Sequence, residues 1–172
     1  MLRFLFRRLT GPPKPAQKLF QAIVSEARRP HWFVEGGISD TLNGRFSVLA
    51  TVCALALVRL EQDGGSESAA AALTERFVES MDSEHRELGL NDPGLGRRVR
   101  KLVGALARRV SDCRAAIGGE RGWAEVIRAC LYRNVAVSED GLAHSEAAIR
   151  SLWSRLRRTP IERVIEGTID ER

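Results

Sequence analysis

The chain is poor in the residue patterns that carry chemistry. Its three cysteines, Cys53, Cys113 and Cys130, form no Cys-x-x-Cys pair, and their odd number argues against a disulfide framework. All three sit among apolar neighbours at helical spacing, the habit of reduced, buried thiols. The three histidines, His31, His85 and His144, are scattered. No two have the i, i+4 spacing that sets two ligands on one helix face, so no metal site is expected. There is no Gly-x-Ser-x-Gly elbow and no Gly-x-x-x-x-Gly-Lys phosphate loop. Asp82 and His85, three apart, read as a surface or capping pair on a helix, with proton transfer as the sharper alternative. An enzyme is the least supported class, with no catalytic residue and no cofactor expected.

Long apolar runs are also missing. The longest, Phe46 to Leu60, is interrupted by Ser47, Thr51 and Arg59 and is shorter than the ~20 residues a bilayer span requires. It reads as a core helix. The start, Met1 to Leu9, is basic and apolar but lacks the h-region and cleavage site of a secretory signal. The first acidic residue is Glu26, a faintly transit-like feature, yet the body begins by about Pro15 and leaves little room for a transit peptide. No alternating run suggests a strand.

What remains is a helical pattern over 172 residues, long enough for one domain with a real core. The expected fold is all-α: a single-domain bundle of about six helices around a central apolar helix. The organisation read from it is a basic apolar segment at 1–14, a helical body at 15–158 and a tail at 159–172. Helix one runs from Pro15 to Arg28 and ends before Pro30. A long loop, His31 to Asn43, leads into helix two, Gly44 to Gln62, apolar nearly all round and so central. Gly64-Gly65-Ser66 turns the chain into helix three, Glu67 to Leu88, which Gly89 stops. Asp92-Pro93 is an N-cap with proline at the first helical position, opening a helix to Ile117. Gly118-Gly119 breaks the chain before helix five, Gly122 to Asn134. Ser138 caps helix six, whose acidic first turn and basic last turn complement the helix dipole.

The net charge is +5 and the isoelectric point about 9.7, which favours an acidic partner: RNA, anionic lipid or an acidic protein surface. Helix four carries the sharpest charge pattern. Leu95, Val99, Leu102, Leu106, Val110, Cys113 and Ile117 form its core stripe, with Arg97, Arg98, Lys101, Arg108 and Arg109 assigned to the opposite side. That face is either solvated or a docking surface for phosphate or acidic protein. Nucleic acid is weakly supported, since the helix has no aromatic to stack on bases, and DNA is not expected. Met1 to Leu9 either extends helix one, frays, or lies at a membrane surface with Phe4, Leu5 and Phe6 inserted. The loop around Trp32 has two readings as well. In one, Trp32 and Phe33 anchor it while Asp40 caps or pairs with Arg45. In the other, it belongs to a recognition surface.

Two blocks take the reading further. Asp40-Thr41 with Gly44-Arg45-Phe46, and Met81-Asp82 with Arg86-Glu87, Gly89 and Asp92, resemble the signatures of the ubiquinol–cytochrome c chaperone family, assembly factors of respiratory complex III. Arg59-Leu60, Gly96-Arg97-Arg98-Val99, Lys101 and Arg133-Asn134 continue the resemblance, which spans roughly Leu19 to Asn134. Asn43 departs from it, standing where the family has Asp; Leu88, Leu90 and Asn91 replace Met, Val and Gly.

The resemblance implies an all-α chaperone without a catalytic site, whose client is cytochrome b. In mitochondria such proteins work with a small partner protein and associate with the ribosome near its exit. Without a clear transit segment, this chain resembles a bacterial member, peripheral at the cytoplasmic face of the inner membrane. The expected partner-binding residues are Trp32, Asp40, Arg45, Arg86, Glu87, Asp92, Arg97, Arg98, Lys101 and Arg108. Asp40, Arg45, Arg86, Glu87 and Asp92 would order the loop and the corner between helices three and four. The basic face would make contact. The alternative is a basic adaptor that binds RNA, the ribosome or anionic membrane without a specific client.

Overall fold

The computed structural model describes residues 16–87 and 95–169, with the backbone alone at 82–87, 95, 96 and 98. Among the described residues there are seven α-helices and no strand. They are α1 (Gln17–Ala27), α2 (Leu42–Gln62), α3 (Glu67–Glu87), α4 (Leu95–Ile117), α5 (Trp123–Leu131), α6 (Glu139–Arg158) and α7 (Ile161–Ile165), with a 3₁₀ turn at Pro30–Trp32. The all-α bundle around a central apolar helix is what the structure shows.

The hub is α2. Every residue from Val48 to Val58 is buried, as is Leu60, because α1, α3, α4, α5 and α6 all pack on it. α4 covers it most extensively, through Leu102, Leu106, Val110 and Cys113. α3 contributes Leu73, Phe77 and Met81, and α6 contributes Ile149, Leu152 and Leu156. Leu88, Gly89 and the Asp92-Pro93 cap lie outside the described residues.

Arg59, on α2 itself, ties the hub to the end of α6. Its guanidinium donates to the carbonyls of Leu156 (3.1 Å) and Thr159 (3.4 Å). It thereby satisfies acceptors that the end of α6 leaves without intrahelical partners. The chain then turns through Pro160 into α7, whose Val164 is fully buried.

α5 is shorter than its sequence pattern suggests. It stops at Leu131 rather than running to Asn134. Tyr132 leaves the helix with its side chain buried, and Asn134 takes a left-handed φ of 61°, a conformation that Asn tolerates better than most residues. Ser138 caps α6 as expected, accepting from Gly141 N at 3.1 Å.

Candidate functional site

The long loop and the start of α2 are built as one piece. Thr41 is the N-cap of α2, its Oγ1 accepting from Gly44 N at 3.2 Å. Asp40 pairs with Arg45 in a bidentate ion pair, Nε to Oδ1 at 2.6 Å and an Nη to Oδ2 at 3.1 Å. That guanidinium holds the Asp40 carboxyl below the usual carboxylate range. Gly44 has no alternative: a Cβ there would sit 1.9 Å from the Ser39 carbonyl oxygen. Phe46 points inward against Phe77, ring centroids 6.0 Å apart. Each residue of the Asp-Thr-x-x-Gly-Arg-Phe block other than the two variable positions therefore has a distinct local task.

The preceding residues, 28–39, are clamped from below. Trp32 is buried and its indole donates to the Glu26 carbonyl at 2.9 Å. Gly36 rests on the backbone of Trp32 and on Ser145, where a Cβ would come within 2.5 and 2.8 Å. The Tyr132 hydroxyl lies 2.6 Å from the Gly36 carbonyl, 3.2 Å from that of Gly141 and 2.6 Å from Ser145 Oγ. One phenolic proton serves two carbonyls, so the Ser145 hydroxyl is the natural donor to the phenol oxygen. Burial raises the Tyr132 pKa and keeps this donor neutral.

A second clamp sits beside it. His31 Nδ1 is 3.0 Å from His144 Nε2. The Glu26 carboxylate receives Arg29 at 3.3 Å and Arg155 at 3.2 Å, with His31 Nε2 3.9 Å away. Burial lowers the His31 pKa, with the Glu26 charge opposing it. α1, the loop and α6 meet at this cluster.

Held this way, the loop forms one wall of an open groove of about 970 Å³. α1 contributes Val24, Ala27 and Arg28; the loop contributes Pro30, Phe33, Val34 and Asp40. α2 contributes Leu42, Arg45, Phe46 and Leu49, and α3 contributes Ser80 and Met81. Two apolar members stand in solvent: Val34 is 74% exposed and Leu42 43%. The groove is apolar along its floor, with the Asp40–Arg45 pair in its lining. Its chemistry suits an apolar segment of another chain. Among the described residues no group of His, Cys, Asp and Glu side chains could hold a metal.

The structure sorts the expected partner-binding residues into separate places. Asp40 and Arg45 line the groove. Trp32 is buried beneath it and acts by holding the loop. Arg97, Lys101 and Arg108 are exposed on α4. Asp92 lies outside the described residues, and the side chains of Arg86, Glu87 and Arg98 are not described, nor are those of Asp82 and His85.

Arg109 is a correction to the expected basic face. It turns inward, donating to the carbonyls of Ala105 (3.2 Å) and Cys130 (3.0 Å), with its guanidinium 5.5 Å from the Phe46 ring centroid. The end of α5 supplies the acceptor and Phe46 the ring face, so it does not belong to the solvent side.

Sequence reasoning missed the groove residues Val34 and Leu42, named Met81 as part of the second family-like block, and missed the histidine pair. Val34 and Leu42 do carry a signal, as apolar residues within and at the end of a polar loop. The histidines, 113 positions apart, carry none.

Comparison with known proteins bears on what this architecture serves. The pattern of the family described as "Ubiquinol-cytochrome C chaperone" matches residues 34–170. Among solved structures, the crystal structure of the Cbp3 homolog from Brucella abortus is similar, with a TM-score of 0.77 and 23% identity. The match covers 98% of this chain and 95% of that one. At that identity the likeness establishes a shared fold. No curated protein matches the chain.

Proposed function

The chain belongs to the ubiquinol-cytochrome C chaperone family, and from that membership we propose that its client is cytochrome b, met at the cytoplasmic face of a bacterial inner membrane. Membership implies a non-enzymatic assembly factor for complex III. The observation that supports the finer reading is the groove. It presents Phe33, Val34, Leu42 and Phe46 beside the Asp40–Arg45 pair, on the stretch that carries the family-like block. A newly made membrane subunit offers apolar segments that need cover before assembly. A groove with an apolar floor and an ion pair in its lining gives such a segment both burial and orientation.

The test is capture of cytochrome b from gently solubilised native membranes by tagged protein, with co-purifying proteins quantified by mass spectrometry. Wild type should enrich cytochrome b over other abundant membrane proteins. The V34D/L42D double variant should lose that enrichment while remaining folded. Equal enrichment by both proteins would remove the groove from the reading.

A second reading is favoured by the exposed cations of α4, Arg97, Lys101 and Arg108. It is a basic adaptor that binds RNA or the ribosome without a specific client. Its affinity would fall steeply with salt for any polyanion. Client capture through the groove would persist at moderate salt, because apolar burial is not screened.

A further inference from the structure

The groove leaves the outer face of α4 without a task. Arg97, Arg100, Lys101 and Arg108 are exposed there, and among the described residues no carboxylate pairs with any of them. α4 contains a single acidic residue, Asp112, and it is engaged by Arg121. Among the described side chains of α4, the cation with an ion-pair partner is Arg114, which reaches Glu61 at 2.6 Å. The free positive charge is therefore concentrated in the first two-thirds of the helix.

Its spacing is informative. At about 100° per residue, Arg97, Lys101 and Arg108 share one narrow sector, with Gly104 at its edge and between Lys101 and Arg108 along the axis. Arg97 and Arg108 are about 16 Å apart along the axis. A Cβ at Gly104 would meet nothing within 4 Å, so the middle of the strip is open. The strip is thus a line of long cationic side chains with an open gap at Gly104.

That profile distinguishes between polyanions. Single-stranded nucleic acid binders interleave aromatics for base stacking, and α4 has none. An acidic protein would need carboxylates fixed opposite each irregularly placed cation. A fluid bilayer supplies mobile anionic headgroups that adjust to any spacing. We infer that this face of α4 lies against an anionic phospholipid surface. The inference rests on the membrane-side location proposed above and assigns that location to a particular face.

The test uses the full chain and vesicle co-sedimentation, with phosphatidylcholine vesicles made with and without phosphatidylglycerol. Wild type should partition onto the phosphatidylglycerol vesicles and not onto phosphatidylcholine alone. The R97Q/K101Q/R108Q variant should bind on the order of a hundredfold more weakly, given the attraction expected of three surface cations. Its cytochrome b capture from detergent-solubilised membranes should match wild type, since the groove is untouched. Gly104→Trp, which adds an interfacial aromatic beside the cations where a side chain meets open space, should bind more tightly.

Because Met1 to Leu9 is also basic and apolar, full-length R3Q/R7Q/R8Q is the control. If only that variant loses vesicle binding, the α4 assignment is overturned and the membrane location stands. If wild type shows no preference for phosphatidylglycerol, assignment and location both fall. If single-stranded RNA competes the protein off the vesicles at equal phosphate and salt, the face is a nucleic-acid surface and the inference is overturned.

Discussion

His31 and His144, from the loop and from α6, face each other with Nδ1 and Nε2 3.0 Å apart. One ring nitrogen must donate and the other must accept, so the contact needs at least one neutral ring. Glu26, Arg29, Glu35 and Arg155 surround the pair. Burial lowers the His31 pKa from its ordinary 6.5. The unfolded chain therefore takes up its proton at higher pH than the folded one.

The sign follows by linkage. Stability from this site is present above pH ~6.5 and is lost as pH falls through the folded His31 pKa. Thermal denaturation of wild type between neutral and mildly acidic pH should show Tm dropping over that range. In His31→Asn the slope should flatten. An unchanged slope in that variant would assign the acid sensitivity elsewhere.

The groove makes a prediction that separates binding from folding. Val34 and Leu42 are exposed, so V34D/L42D should alter unfolding free energy by less than about 0.5 kcal/mol per site. Client capture should fall at least tenfold. Urea denaturation and quantitative pull-down on the same preparations decide the matter.

Tyr132→Phe removes a hydroxyl that lies between Gly36, Gly141 and Ser145. Buried acceptors are left without a donor, which should cost about 1–3 kcal/mol. The loss should be local as well as global. Amide hydrogen exchange in residues 33–41 should accelerate more than exchange in the centre of α2.

The start of α2 offers a graded pair. Thr41→Ala deletes the N-cap acceptor and should cost about 1 kcal/mol, while Thr41→Ser should restore most of it. Gly44→Ala drives a methyl group into the Ser39 carbonyl and should cost about 1–3 kcal/mol. It should also displace the Asp40–Arg45 pair and weaken client capture, a double effect that Thr41→Ser should not show.

Much of the bundle could be read before any coordinates, because its signals are local. Pro30, Gly64-Gly65, Gly118-Gly119 and Ser138 mark real helix boundaries, and the stripe Leu102, Leu106, Val110, Cys113 really is buried. The Asp40–Arg45 pairing was also legible, being five residues long. The site was not, because four separate segments converge on it. No periodicity links Tyr132 to Gly36, 96 positions away. Arg109 shows the limit of helical-wheel reasoning. Its sector lies at the edge between core and solvent, and a carbonyl from α5 together with the Phe46 ring decides which way it turns.

α2 is a 21-residue helix long and apolar enough, taken alone, to cross a membrane. In the folded chain it never faces that choice, because its neighbours enclose it. During synthesis the order matters: α4, its largest cover, begins roughly thirty residues later, a delay of a few seconds at ~5–20 residues per second. Through that interval only α1, and then α3, are on hand to shield it. A chain built around such a helix must therefore keep it out of any bilayer it meets before its covering helices are made. Substitutions that loosen α1 or α3 should then show up as misdirected nascent chains before they show up as unstable folded ones.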